Sequence, residues 1–498
     1  MRSGRPGISP ASSGTLGGVR ATRSARAGTR PLGLLCLVSL VAAARSDAAA
    51  PRPVASLVDR FLEARAGVPG ARLKVLHLGD SHVGAEPYSS ALQELLGAIA
   101  GGDGGPGLFF PGLPFNGTRS RGVELKLSAG WIRSYGSAPL PPGDTGLCGG
   151  FVEARRTGES LRVDGSFEAL ELFLLRQPGG GAVRVRVDGR IAGGVDLGGA
   201  SADLAVFRWS GAAASRVEVE TAGGGPVRIL GISLTNGKPG LVYSPAGVVG
   251  AQANVLLRCR EELFVRQLAA DPPDLVVLAF GTNEARETAF DPVVYGATLE
   301  TVIRRVRRGA PSAMVLLTAP PDQERTTAGG SRPVPALSLV TEAQRLVARR
   351  TGSAFFDLRE AMGGAGSVRR WIRSTPTLAQ PDHVHFTTAG YERLARLVAG
   401  ELARTFETGR QRFASANAGL KEAALAARPV VLPDELPRPA RLARSVPAGG
   451  DGRTASSRTA GAGDLHSYRD SSGRLVVTNL GVAPPRTPEL GRRSVVKR

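Results

Sequence analysis

Hydrophobic positions along this chain fall into distinct patterns, and each predicts a different kind of element. Between residues 54 and 100, and again between 254 and 405, short apolar runs alternate with segments of helical apolar spacing. The runs at 73–79, 274–280, 313–317 and 354–358 predict buried strands. The periodic segments at 54–66, 86–100, 254–269, 293–308, 336–350 and 388–405 predict helices. Strands alternating with helices imply a three-layer α/β fold, a parallel sheet with right-handed crossovers and helices on its faces. From 115 to 235 the period changes to two, as in Leu161-Arg-Val-Asp, Val183-Arg-Val-Arg-Val-Asp and Val217-Glu-Val-Glu. That alternation, with frequent turn signals, predicts an antiparallel β-sandwich of jelly-roll type inserted into the α/β domain. The expected organisation is a leader at 1–50, an α/β domain divided between 51–114 and 236–408, the insert at 115–235 and a tail at 409–498.

Composition sets outer limits. A chain of 498 residues is long enough for two or three domains, and a hydrophobic share of 42% supports packed cores. The net charge of +20 invites a nucleic-acid partner, but most of the basic excess lies in residues 1–50 and 410–498. The middle of the chain is only mildly basic, so no nucleic acid is expected there. A basic tail suits an anionic polymer or lipid, and it equally fits a solvated segment with no fixed partner. Beyond 410 the Ala/Arg/Pro-rich composition predicts a disordered, low-complexity tail, with a small hairpin at 463–480.

The first 50 residues have the layout of an export signal. Arginines up to Arg30 precede an apolar run at 31–44, and small residues follow to Ala50. That run is shorter than the roughly 20 residues a membrane-crossing helix takes. An exported protein, periplasmic or secreted, with no transmembrane segment after signal removal is the expectation. Cys36 follows Leu35, where a lipoprotein cleavage site takes a small residue, so no lipid anchor is expected. Cys148 and Cys259 either pair in an oxidising compartment or stay as buried thiols.

Three short strings far apart in the chain carry chemistry: His77-Leu-Gly-Asp-Ser-His82, Gly281-Thr-Asn-Glu284 and Asp382-His-Val-His-Phe-Thr387. Each falls on a loop after a predicted strand or before the last helix, where catalytic loops of parallel sheets gather. Ser81 directly after a strand can be an exposed nucleophile; it can equally cap the helix that follows. Asn283 can donate to an oxyanion. Asp382 and His385, three apart, can supply a base and the carboxylate that orients it. His383 competes with His385, and Asp382, His383, His385 and His82 admit a metal reading that leaves Ser81 and Asn283 unexplained. Glu284 either orients its loop or is a solvated carboxylate.

Together and in this order, the strings resemble the SGNH (GDSL-type) hydrolase family. The resemblance covers about residues 70–405 and implies a serine esterase needing no metal or organic cofactor. It implies Ser81 as nucleophile, His385 as base, Asp382 as its orienter, and an oxyanion hole from the Ser81 N–H, the Asn283 amide and a glycine N–H. The glycine block matching best is Val248-Val-Gly-Ala-Gln-Ala-Asn254, which points to Gly250. Gly-Asp-Ser-His, Gly-Thr-Asn-Glu-Ala and Asp-His-Val-His-Phe-Thr, with a β-sandwich between the first and second blocks, are similar to exported peptidoglycan O-acetylesterases. In those the insert resembles a carbohydrate-binding module, which implies an acetylated polysaccharide as substrate. The same residues would serve an O-acetyltransferase or a deacetylase of another polysaccharide, and a non-catalytic wall-binding protein is the reading from another class.

Overall fold

The computed structural model describes residues 52–113, 122–135, 143–327, 329–416, 430–433, 466–469 and 475–478. The first helix, α1 (Arg52–Arg65), leads into strand β1 (Arg72–Gly79), the single turn α2 (Ser81–Gly84) and helix α3 (Glu86–Ile99). Nine strands follow: β2 (Gly107–Phe109), β3 (Glu124–Leu127), β4 (Ile132–Ser134), β5 (Phe151–Ala154), β6 (Ser160–Arg176), β7 (Ala182–Val187), β8 (Arg190–Asp196), β9 (Asp203–Gly223) and β10 (Val227–Thr235). The α/β pattern returns with β11 (Gly240–Gly247), α4 (Glu261–Ala270), β12 (Leu275–Ala279), α5 (Pro292–Gly309) and β13 (Met314–Thr318). A hairpin, β14 (Glu324–Thr327) and β15 (Gly330–Pro333), precedes α6 (Leu337–Thr351), β16 (Ala354–Phe356), α7 (Leu358–Ala361), α8 (Ser367–Ile372) and α9 (Thr388–Ala416).

Strands β11, β1, β12, β13 and β16 form one parallel sheet in that order. Their runs are largely apolar because both faces are covered. Val75, Val277 and Leu316 pack with α1, α3 and α9, where Phe61 stacks on Phe406 at 4.1 Å between ring centroids. Their neighbours Leu76, Leu78, Val276, Leu278, Val315 and Leu317 pack on the other side with α4, α5 and α6. The expected three-layer arrangement is therefore present. Strand β11 is absent from the predicted elements, because Gly240, Pro245 and Gly247 make its stretch look like a turn. Proline is tolerated in it because β11 is an edge strand that bonds only to β1 within its sheet.

The period-two segment folds as antiparallel strands, beginning at Gly107 instead of 115. All nine are joined in one hydrogen-bonded sheet, which encloses a core of its own. Strands β6 and β9 run 17 and 21 residues, and their pairing is bulged on either side of Phe167. Period two explains how this sheet attaches. Leu170, Leu172 and Leu174 enter the insert's own core, while Phe173 and Leu175 pack into the α/β core. Of the tail, α9 continues past the expected boundary to Ala416, and strands His466–Arg469 and Leu475–Thr478 pair as a hairpin. The leader at 1–50 and the rest of the tail lie outside the described residues. Among the described residues no helix is long and apolar enough to cross a membrane.

Candidate active site

Strand β1 ends at Gly79 against the neighbouring strands, and this sets the position of Ser81. A side chain at Gly79 would meet Val83 Cγ2 at 2.3 Å and the Ala279 carbonyl at 2.7 Å. The glycine is therefore required for close packing, not for an unusual turn. Asp80, 1% exposed, caps α2 by accepting from the His82 N–H at 2.9 Å. Asp80 holds the cap position, which leaves Ser81 as the first residue of the turn with its hydroxyl free for other work. The Ser81 N–H, at that first helical position, has no intrahelical acceptor.

Ser81 Oγ lies 3.3 Å from His385 Nε2, and His385 Nδ1 lies 2.6 Å from Asp382 Oδ2. Asp382 Oδ1 accepts from the Val384 and His385 N–H groups, both at 2.9 Å. Burial raises the Asp382 pKa, but the hydrogen bond and charge of His385 outweigh it and hold the carboxyl well below the usual range. Asp382 is thus a fixed anion that keeps the proton of His385 on Nδ1 and leaves Nε2 facing the serine as an acceptor. The intervening His383 adopts φ +59°, which lets the loop wrap around the carboxylate and sends its own ring to Glu324 at 3.3 Å. His383 is therefore not at the serine. Among the described residues no three His, Cys, Asp or Glu side chains come together to hold a metal ion.

His82 packs its ring 5.6 Å from that of His385 and meets the Tyr391 hydroxyl at 3.3 Å. Burial pushes its pKa down to about 3, with His385 acting in the same direction, so it remains neutral beside the catalytic loop. His77, buried in β1 against the Tyr243 hydroxyl at 2.8 Å, is likewise pushed down to about 3 by burial.

The Gly-Thr-Asn-Glu loop stands beside this line. Asn283 donates one amide hydrogen to the Ala251 carbonyl at 2.8 Å, which leaves its second amide hydrogen available. Glu284 resolves in favour of loop orientation. It is 4% exposed and bridges the Ala253 N–H at 2.7 Å and the Gly281 N–H at 3.0 Å. One carboxylate thereby ties the glycine block to the asparagine loop. Gly250 sits on the tied segment, exposed and with φ +72°. The Val248 N–H, donating to the Gly79 carbonyl at 2.9 Å, links that segment to β1. Gln323 Nε2 holds the Thr282 carbonyl at 2.9 Å from the other side.

Asp80 has no role in the motif reading, although an acidic residue before a short helix is a capping signal. Burial pushes it up to about 6 against hydrogen bonds from His82 and Thr282, so it joins the serine turn to the asparagine loop. Cys148 and Cys259 are both free and buried, and burial raises each thiol to about 12.

Burial likewise pushes Glu284 up to about 7, and nearby Asp80 adds to the effect. The native state then holds this proton to higher pH than the unfolded chain does. The contribution of Glu284 to stability therefore falls as pH rises from about 4.5 to about 7 and levels off above. Glu284→Gln is expected to flatten that slope in thermal unfolding measured across this range. A slope identical to wild type would remove Glu284 from the account.

A family model described as GDSL-like lipase/acylhydrolase matches residues 211–393. The chain carries a GDSL-like lipase/acylhydrolase domain. This domain makes it a carboxylic ester hydrolase. The matched stretch holds Asn283, Asp382 and His385 but not Ser81, because the antiparallel insert separates the serine block from the rest of the hydrolase domain. A solved peptidoglycan O-acetylesterase shares the hydrolase fold with a TM-score of 0.60 at 24% identity, covering 72% of this chain and 96% of its own. A family two carbohydrate esterase from Cellvibrio japonicus aligns with a TM-score of 0.25 at 12% identity, over 57% of this chain and 98% of its own. A salicylyl-acyltransferase from a tetracycline biosynthetic pathway aligns with a TM-score of 0.27 at 17% identity, over 57% and 94%. No curated protein sequence matches the chain.

Proposed function

We propose that this protein is an exported serine esterase that removes O-acetyl groups from a cell-envelope polysaccharide, with peptidoglycan as the substrate. The observation that carries the reading is the hydrogen-bonded line from Asp382 through His385 to Ser81, with the Asn283 loop beside it. Ser81 Oγ attacks the acetyl carbonyl as its proton passes to His385 Nε2. The oxyanion takes hydrogen bonds from the Ser81 N–H, the free Asn283 amide hydrogen and the Gly250 N–H. Collapse breaks the ester bond, and the leaving sugar oxygen takes the proton from His385. Water then attacks acetyl-Ser81, giving its proton to His385, and acetate leaves as Ser81 recovers that proton.

The choice of a polysaccharide is supported by the solved peptidoglycan O-acetylesterase that shares the fold. Export is supported by the arginine-then-apolar layout of residues 1–50. Asn283→Ala is expected to lower kcat by about 10²–10³-fold with little change in KM, as for loss of one oxyanion donor. A drop in kcat under tenfold would exclude the amide from that role.

The test of substrate incubates the protein with O-acetylated peptidoglycan and follows acetate, with and without an added glycan acceptor. Ser81-dependent release that the acceptor leaves unchanged supports the esterase. Acetyl appearing on the acceptor at the expense of acetate identifies a transferase. Cleavage of a small acetyl ester without release from peptidoglycan keeps the triad and excludes the substrate.

A further inference from the structure

The hairpin beside the active site carries a charge arrangement that ester hydrolysis does not use. In its antiparallel register Arg325 stands directly opposite Arg332. Like charges in facing positions repel, so this register is unfavourable without a neighbouring anion. Strand alternation puts Glu324 on the other side of the ribbon. There it accepts from Ser331 Oγ at 2.6 Å and pairs with Arg369 at 2.9 Å, so it is not the missing counter-charge. Arg325 Nη2 donates to the Arg286 carbonyl at 2.8 Å. Arg286 in turn donates to Gln323 Oε1 at 3.2 Å and the Glu324 carbonyl at 3.3 Å, both uncharged acceptors. Among the described residues, none of Arg286, Arg325 and Arg332 forms an ion pair with a carboxylate.

The place of this cluster is as informative as its charge. Arg286 ends the short turn Glu284–Arg286 that Asn283 caps. The Glu324 N–H donates to the His383 carbonyl at 3.0 Å, next to Asp382. The hairpin that carries Arg325 and Arg332 therefore adjoins both the asparagine loop and the Asp-x-x-His loop. Arg286 is partly buried; its pKa is lowered first by that burial and then by Arg325, with Asp382 opposing. A partly buried cation kept beside other cations is costly until an anion joins it, and guanidinium groups match carboxylates in a two-point geometry.

We infer that Arg286, Arg325 and Arg332 form a subsite for a carboxylate carried by the acetylated polysaccharide, so that the enzyme prefers acidic acetylated glycans to neutral ones. The inference rests on the esterase reading above. The carboxylate comes either from the sugar itself or from a peptide attached to it.

Initial rates would be compared on acetylated xylan, which is neutral, on acetylated pectin, which carries a carboxylate on its sugars, and on O-acetylated peptidoglycan with its peptides intact or stripped. Wild type is expected to favour the acidic polymers in kcat/KM, with the preference shrinking as salt rises. The acidic-to-neutral ratio is expected to fall about tenfold in Arg325→Gln and in Arg332→Gln, and to be largely kept in Arg325→Lys. Both positions are exposed on the ribbon, so folding is not the concern. Stripping breaks the amide that joins peptide to sugar and frees a lactyl carboxylate, so a preference lost on stripping assigns the site to peptide carboxylates, and a preference for pectin over xylan assigns it to a carboxylate on the sugar. Equal ratios in wild type and both glutamine variants overturn the subsite. If peptidoglycan releases no acetate while the pectin-to-xylan ratio still drops in the variants, the peptidoglycan reading fails and the subsite stands.

Discussion

Ser81→Ala is expected to reduce turnover of every acetyl ester by about 10⁵–10⁶-fold, the scale on which losing the nucleophile of a Ser-His-Asp unit acts. The geometry explains why so little activity should remain. His385 Nε2 is 3.3 Å from the hydroxyl and has no other reacting partner on the described residues. The neighbouring His82 is neutral and engaged with Tyr391, so it offers no second base. Asp80 is consumed by the cap and by Thr282. The measurement is acetate release together with mass spectrometry of acid-quenched reactions. Wild type should carry an acetyl group on the peptide containing Ser81, and the variant should not. Retention of more than a hundredth of wild-type activity in the variant would mean that another nucleophile or a bound water does the work.

The second large effect concerns Asp382→Asn, with an expected loss of about 10⁴-fold in kcat and little change in KM or folding. Asp382 has two different duties, one for each oxygen. Oδ1 accepts from two backbone N–H groups, and Oδ2 accepts from His385 Nδ1. An asparagine keeps its oxygen toward the two backbone donors, since turning its NH₂ there would set donor against donor. The NH₂ then faces His385 Nδ1 and forces that nitrogen to accept. The proton moves to Nε2, the atom that has to receive one from Ser81, and the base is lost while the loop keeps its shape. Nitrogen NMR of His385 reads the tautomer directly, and kinetics on a small acetyl ester reads the rate. A variant with the unchanged tautomer and a loss under tenfold would show that Asp382 contributes shape alone.

Much of this is legible from local pattern. Largely apolar runs identify β1, β12 and β13 because a strand covered on both faces has few places for polar side chains. Period-two spacing identifies the antiparallel insert for the converse reason. The motif residues stand out because Ser81 and Asn283 each follow a strand end, and Asp382 and His385 are close enough to meet within one loop. Where local pattern is ambiguous, it fails for a physical reason. Gly240–Gly247 looks like a turn, and only its place at the sheet edge makes Pro245 compatible with a strand.

Sequence by itself therefore determined the periodicities, the order of the elements and the residue types available for acyl transfer, since these depend on backbone geometry over a few neighbours. Tertiary structure decided which of several equal candidates acts. It placed His385 and not His383 at a serine 304 residues away. It made Asp80 the cap and freed Ser81, buried Glu284 between Ala253 and Gly281, kept Cys148 and Cys259 as thiols, and set Arg325 beside Arg286. Each of these outcomes turns on desolvation and on distances of about 3 Å between distant segments. Spacing along a chain constrains neither, because both arise only when the two faces of the sheet have packed.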